Sequence, residues 1–193
     1  MSIRRLAIFA SGSGTNAQRI IEYFSDIHDI KVECLLSNTP KAYALTRATL
    51  LGVETLVFSK AEFYQSGSVV DYLLEKQIDL VVLAGFLWLV PPEIVDRFPV
   101  LNIHPALLPQ YGGKNMYGHH VHQAVIENGE SQSGITIHFV NEKYDEGKIV
   151  FQARCPVIPG DTPDTLAARI HELEYGHYPR IIEEVARTLP PQV

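Results

Sequence analysis

No unbroken apolar run of about 18 residues or more occurs in the sequence, so nothing in it reads as a membrane span. Positive charge is scarce: 16 Lys and Arg against 22 Asp and Glu leave a net charge of −6, without the basic footprint of a nucleic-acid binder. The two cysteines, Cys34 and Cys155, lie in apolar strand-like segments and read as buried, reduced thiols of a cytoplasmic protein. Internal repeats, low-complexity stretches and an interdomain linker are all missing. At 193 residues and 46% hydrophobic content, the chain suits one domain, 1–193, with a sizeable core. The opening MSIRRLAIFASG places two arginines before an apolar stretch of only about six residues, which reads as a first strand rather than a signal peptide.

What is there alternates. Arg5 to Ala10, Lys31 to Ser37, Thr55 to Phe58, Asp79 to Phe86 and Val100 to Pro105 read as strands. After its opening Asp79, the Asp79 to Phe86 stretch is continuously apolar, as expected of a central parallel strand covered on both faces. Between the strands lie helical patterns. The first has Ala17, Ile20, Ile21 and Phe24 on one face. The second is capped at Thr39-Pro40 and ended by Gly52, and the third has Val70, Leu73 and Leu74 inward. A short helix opens at Pro91-Pro92. Later, Gly134 to Asn141 and Gly147 to Val157 alternate apolar and polar residues, which predicts an antiparallel pair. Asp161-Thr162-Pro163 caps a long last helix with Leu166, Ile170 and Leu173 inward, kinked or broken at Pro179. The fold class is therefore α/β: a doubly wound, mostly parallel sheet with an antiparallel C-terminal strand pair.

Two stretches carry chemistry. In FASGSGTNAQ, Gly12, Gly14 and Ala17 fit a G-x-G-x-x-A turn between strand and helix, where backbone N–H groups and the helix dipole favour an anion. A nicotinamide site would need an acidic residue ending the second strand, and here that strand ends Ser37-Asn38. No Lys-Ser or Lys-Thr follows, so the turn is not a Walker A loop. A small phosphate site at Gly12, Ser13, Gly14, Thr15 and Asn16 remains, beside the alternative of a tight turn with no ligand. In LNIHPALLP, strand alternation points Asn102 and His104 the same way, at the carboxyl edge where open α/β sheets bind ligands. An amide donor beside an imidazole suits a carbonyl oxygen that gains charge during nucleophilic attack. A hydrogen-bonded core pair is the plainer alternative. Asp145, in the loop between the alternating strands, would raise the imidazole's pKa and fix its tautomer if it lay within reach.

Taken together, SGSGTN, VVLAGF, LNIHPALLP, HFVNEKYDEGKIVFQARCPV and ELEYGHYP resemble the phosphoribosylglycinamide formyltransferases, in order and across nearly the whole chain. The resemblance implies a formyltransferase fold and transfer of a formyl group from 10-formyltetrahydrofolate to the amine of glycinamide ribonucleotide. It implies a tetrahedral intermediate and no metal. Asn102 and protonated His104 would stabilise the oxyanion, and Asp145 would hold His104 and help move protons. The phosphate would sit on Gly12 to Asn16, and Glu174 would meet the glycinamide end. The folate would enter between Leu87, Trp88, Leu89 and Val90 on one side and Asn141, Glu142, Lys143, Tyr144 and Asp145 on the other. Two features depart from the family pattern: a long GGKNMYGHHV segment, and Trp88 where a different, often basic, residue is expected.

Rival readings stay open at this point. Formyltetrahydrofolate hydrolases and methionyl-tRNA formyltransferases share the Asn-x-His core but usually carry a further domain. A metal hydrolase on His119, His120 and His122 lacks a ligand motif such as H-E-x-x-H. A phosphate-binding module without catalysis would leave Asn102, His104 and Asp145 unexplained. Oligomeric state leaves no mark in the sequence.

Overall fold

A computed structural model of the chain describes residues 3–190. Its frame is one seven-stranded sheet with strand order β3-β2-β1-β4-β5-β6-β7. The strands are β1 (Arg4–Phe9), β2 (Ile30–Ser37), β3 (Glu54–Val57), β4 (Leu80–Leu83), β5 (Val100–His104), β6 (Gln132–Phe139) and β7 (Ile149–Pro156). The first five run parallel. β6 then pairs antiparallel with both β5 and β7. The chain winds outward from β1 to β3, then returns to lay β4 on the other side of β1, so the β1/β4 junction is the topological switch point.

Strand alternation divides the core in two. Leu6 and Ile8 of β1 face one layer, formed by α1 (Thr15–Phe24), α2 (Tyr43–Leu50) and α7 (Pro163–Thr188). Ala7 and Phe9 face the other, with Phe63 of α3 (Lys60–Tyr64), Val69, Val70 and Leu73 of α4 (Ser68–Glu75) and Ile94 of α5 (Pro92–Val95). Across β5 and β6 the first layer receives Leu101, Ile103, Ile135 and Ile137. That leaves Asn102, His104, Thr136 and His138 on the opposite face. There the covering is loop rather than helix: Thr136 Oγ1 donates to Ala106 O and accepts the Leu108 N–H. A further helix, α6 (His119–Glu127), follows that loop.

Several local expectations are corrected. Thr39-Pro40 forms a turn, and α2 begins at Tyr43 because Ala44 packs beneath Gly14 and donates its N–H to Gly12 O. Leu74 is exposed, while Val69 takes the inward place. β4 stops at Leu83, since Gly85 turns away with φ +73°. β6 is buried on both faces from Ser133 to His138, not half-exposed as alternation implies. α7 is not broken at Pro179 but runs through it as one helix of 26 residues, anchored by Tyr178, Ile181, Ile182 and Val185 in the core. α3 escaped the pattern reading, although Ser59 and Glu62 form a capping box at its start. Both cysteines are free and buried. Among the described residues, no helix is long and apolar enough to cross a membrane.

Candidate active site

One cavity of about 450 Å³ lies along the carboxyl edge of the sheet at the switch point. Its first wall is the turn after β1, where Gly12, Ser13, Gly14, Thr15 and Asn16 all line it. Gly14 sits at φ +73°, and a Cβ there would lie 2.4 Å from Ala44 Cα, so only glycine lets α2 approach. Arg47 Nε donates to Ser13 O at 2.9 Å, giving that carbonyl of the turn a partner.

The second wall is the segment after β4. Ser11 ties it to the first turn: its N–H donates to Gly85 O and its hydroxyl accepts the Leu87 N–H. Leu87, Trp88, Leu89 and Val90 all line the cavity. Trp88 belongs to an aromatic shelf with Phe58, Phe63, Tyr64 and Phe86, and Lys60 Nζ lies 5.7 Å from its ring centroid. From the loop after β6, Lys143, Tyr144 and Asp145 reach the cavity. Asn141 and Glu142 do not; they are exposed and border a separate hollow beside Val95 and Asp96. Asn141 Oδ1 instead accepts the Lys143 N–H, turning the chain locally.

Asn102, His104 and Asp145 meet at the cavity's deep end. Asp145 Oδ2 lies 3.5 Å from His104 Nδ1, and Oδ1 lies 3.5 Å from His138 Nε2. The Gly113 N–H donates to Asp145 Oδ2 at 2.9 Å. A Cβ on neighbouring Gly112 would lie 2.6 Å from Leu108 Cδ2 and 3.2 Å from Asp145 Cβ, so the Gly112-Gly113 pair permits this approach. Asp145 itself is non-glycine at φ +56°, a backbone state that clusters at functional sites. Burial alone would raise its carboxyl, but His138, His104 and the Gly113 amide outweigh burial and hold it below the ordinary carboxylate range.

His104 is buried, and its Nε2 lies 2.7 Å from Tyr111 O. A carbonyl only accepts, so Nε2 carries a proton and Nδ1 is the nitrogen that faces Asp145. The tautomer is therefore fixed by the Tyr111 carbonyl rather than by the aspartate. Burial lowers the imidazole's pKa, and Asp145 and Tyr111 recover only part of the loss. Asp145 does pull the pKa upward, as expected of a carboxylate within reach, but desolvation exceeds that pull.

Glu174 is also buried, on α7, and accepts a hydrogen bond of 2.8 Å from Asn16 Nδ2. Burial raises its carboxyl, with Asn16 and His171 opposing. His119 and His120 are exposed, whereas His122 is buried, with no hydrogen-bond partner for Nδ1 among the described residues. Among those residues, no group of three or more His, Cys, Asp or Glu could hold a metal ion. Burial, then His171, His119 and His104, push His122 down to about 4. Against an unfolded value of about 6.5, keeping this ring neutral corresponds to about 3 kcal/mol. The unfolded chain binds the proton where the folded chain does not, so this stability is intact above about 6.5 and drains as pH falls toward 4. Urea midpoints over that range are expected to fall with pH and to flatten in His122→Leu; equal slopes in the two proteins would refute the assignment.

Sequence reasoning missed His138, the Tyr111 carbonyl and the Gly113 amide. His138 left a faint signal as a buried-strand histidine; the two backbone groups left none.

Comparison with known proteins follows the same outline. A family model described as formyl transferase matches residues 4–182. The chain is 43% identical over 187 residues to the chloroplastic phosphoribosylglycinamide formyltransferase of Arabidopsis thaliana, covering 93% of this chain and 64% of that one. It is 40% identical to the phosphoribosylglycinamide formyltransferase of Haemophilus influenzae, covering 94% and 86%. Among solved structures, glycinamide ribonucleotide transformylase 1 from Symbiobacterium toebii superposes with a TM-score of 0.87 at 35% identity, over 96% of this chain and 88% of that one. Phosphoribosylglycinamide formyltransferase from Streptococcus pneumoniae gives 0.83 at 38% identity, over 95% and 99%.

Proposed function

The chain belongs to the formyl transferase family, and on that premise we propose that it transfers the formyl group of 10-formyltetrahydrofolate to the amine of glycinamide ribonucleotide, a step of purine biosynthesis. The observation that carries this reading is the meeting of Asn102, His104 and Asp145 at one end of the cavity that Gly12 to Asn16 also line.

In this reading the ribonucleotide's phosphate sits on the turn before α1, and its glycinamide end runs toward Glu174. The folate enters between the Leu87–Val90 segment and Lys143-Tyr144, with Trp88 as an apolar shelf at the mouth. The amine's lone pair attacks the formyl carbon while the carbonyl π pair moves onto oxygen. An Asn102 N–H and the His104 imidazole, protonated at the Nδ1 that faces the site, stabilise that oxyanion. The amine's proton passes toward Asp145, and the folate nitrogen leaves with a proton delivered through His104. The 3.5 Å between His104 Nδ1 and Asp145 Oδ2 is longer than a well-formed hydrogen bond, so the pair is joined by charge rather than by a tight bond, and both atoms remain within reach of a group in the cavity.

The deciding assay mixes the protein with both substrates and follows deformylated folate. Release is expected only when glycinamide ribonucleotide is present. Release without it would favour a hydrolase, and binding without turnover would favour a binding module.

The phosphate site has its own test. A Cβ on Gly12 meets nothing within 4 Å, so Gly12→Ala leaves the fold intact. It is expected to weaken ribonucleotide binding about tenfold, some 1.4 kcal/mol, with folate binding nearly unchanged by calorimetry. Gly14→Ala is expected instead to lower stability by about 2–3 kcal/mol, through the Ala44 clash and the positive φ. Equal loss of both ligands in Gly12→Ala would mean a folding defect rather than a phosphate contact.

A further inference from the structure

We propose that His138 is a positioning residue for the transfer reaction: as its neutral Nδ1–H tautomer it accepts a hydrogen bond from the Asn102 amide and so fixes which end of that amide meets the cavity. The proposal rests on the formyl-transfer reading above.

The register of β5 and β6 sets Asn102 directly opposite His138. Directly paired residues of antiparallel strands put their side chains on the same face, a few ångströms apart. His138 is 1% exposed, so solvent does not compete for its ring. Its Nδ1 lies 2.9 Å from Phe139 O. That oxygen only accepts, so Nδ1 carries the proton and the neutral ring has its lone pair on Nε2. Two groups approach Nε2: Asn102 Nδ2 at 3.2 Å and Asp145 Oδ1 at 3.5 Å. The nearer group is the amide, which donates to a bare Nε2; the farther is a carboxylate, which would hold a proton on Nε2 and draws its own lowering from His138 in that form, so the two contacts compete for the ring and the shorter one sets its tautomer.

A carboxamide can rotate end for end, and the two ends do opposite things to a developing oxyanion: NH2 stabilises it and C=O repels it. With a lone pair at Nε2, the NH2 end is held at the ring. One of its hydrogens is engaged there, and the second is left for the cavity that Asn102 lines. A proton on Nε2 would reverse the preference, since the ring would then donate to Asp145 or to a flipped Asn102 oxygen. Phe139 O, acting on the far side of the ring, thus sets the polarity of the amide on the near side.

The test is a cycle of variants in the full chain, assayed with both substrates saturating. His138→Asn removes the Nε2 acceptor, and His138→Gln returns an amide oxygen near that place. His138→Asn is expected to lower kcat about 10–100-fold with both KM values little changed, and His138→Gln to recover most of the loss. In an Asn102→Ala background, His138→Asn is expected to cost less than about twofold, because its effect travels through Asn102. The same loss in both backgrounds, no recovery by Gln, or a loss confined to KM would overturn the proposal. Nitrogen NMR of the unmodified protein needs no turnover: a protonated Nδ1 with a bare Nε2 on His138 is expected, and a protonated Nε2 overturns the proposal. If the unmodified protein transfers no formyl group, the functional reading fails by itself, and the NMR result still decides the His138–Asn102 pairing.

Discussion

His104→Ala is expected to lower kcat by about 10²–10⁴-fold, the range for losing a positioned acid–base group, while the protein stays folded. The imidazole sits at the end of β5, where it closes the cavity rather than filling either apolar layer of the core. Its removal leaves Tyr111 O without its donor and Asp145 without its imidazole neighbour. Those losses cost stability of about 1–3 kcal/mol, since a buried acceptor without a partner is penalised. The two effects separate cleanly: thermal melting reads the smaller, and single-turnover formyl transfer reads the larger. Turnover within about threefold of the unmodified protein would remove His104 from the chemistry.

Much of the frame was legible because its signals are local. Ala17, Ile20, Ile21 and Phe24 repeat at helical spacing and do face the core. β5 was legible too, and strand alternation alone predicts that Asn102 and His104 share a face. What the sequence withheld is set by long-range geometry. Nothing in it states that His138 stands opposite Asn102, because register depends on how β6 returns after α6. The same holds for Asp145, whose loop position gave no hint that one oxygen would face each histidine. Glu174 reads as an ordinary helix glutamate until α7 is packed on the sheet, where it becomes buried against Asn16. The net direction of the His104 shift was hidden for a related reason: the upward pull of Asp145 follows from its charge, but the depth of burial that outweighs it does not show in the sequence. Asn141 and Glu142 fell outside the cavity because a loop turn, invisible to periodicity, points them toward Val95 and Asp96. Continuity through Pro179 belongs with these, since tertiary burial of Tyr178 and Ile182 overrides a local breaker.

Asp145→Asn carries the second large expectation, and its sign follows from the charges around it. The carboxylate is held below its ordinary range, so it is an anion at neutral pH. That anion raises His104's pKa against the larger effect of burial, which lowers it. Asparagine keeps an oxygen for the Gly113 N–H and nearly the same volume, so the loop remains in place. The charge is gone, and His104 then releases its proton at a still lower pH. The limb of the kcat/KM profile governed by His104 is expected to move toward acid, whether His104 acts as cation or as base. The level near neutral pH is expected to drop about 10²–10³-fold, because proton traffic between amine and leaving nitrogen loses its acceptor. Profiles recorded from about pH 5 to 9, which brackets ordinary imidazole titration, separate the outcomes. A uniform drop with an unmoved limb would mean that Asp145 takes the proton without tuning His104. An unmoved limb with unchanged rates would detach Asp145 from the chemistry and leave it a loop fastener for Gly113.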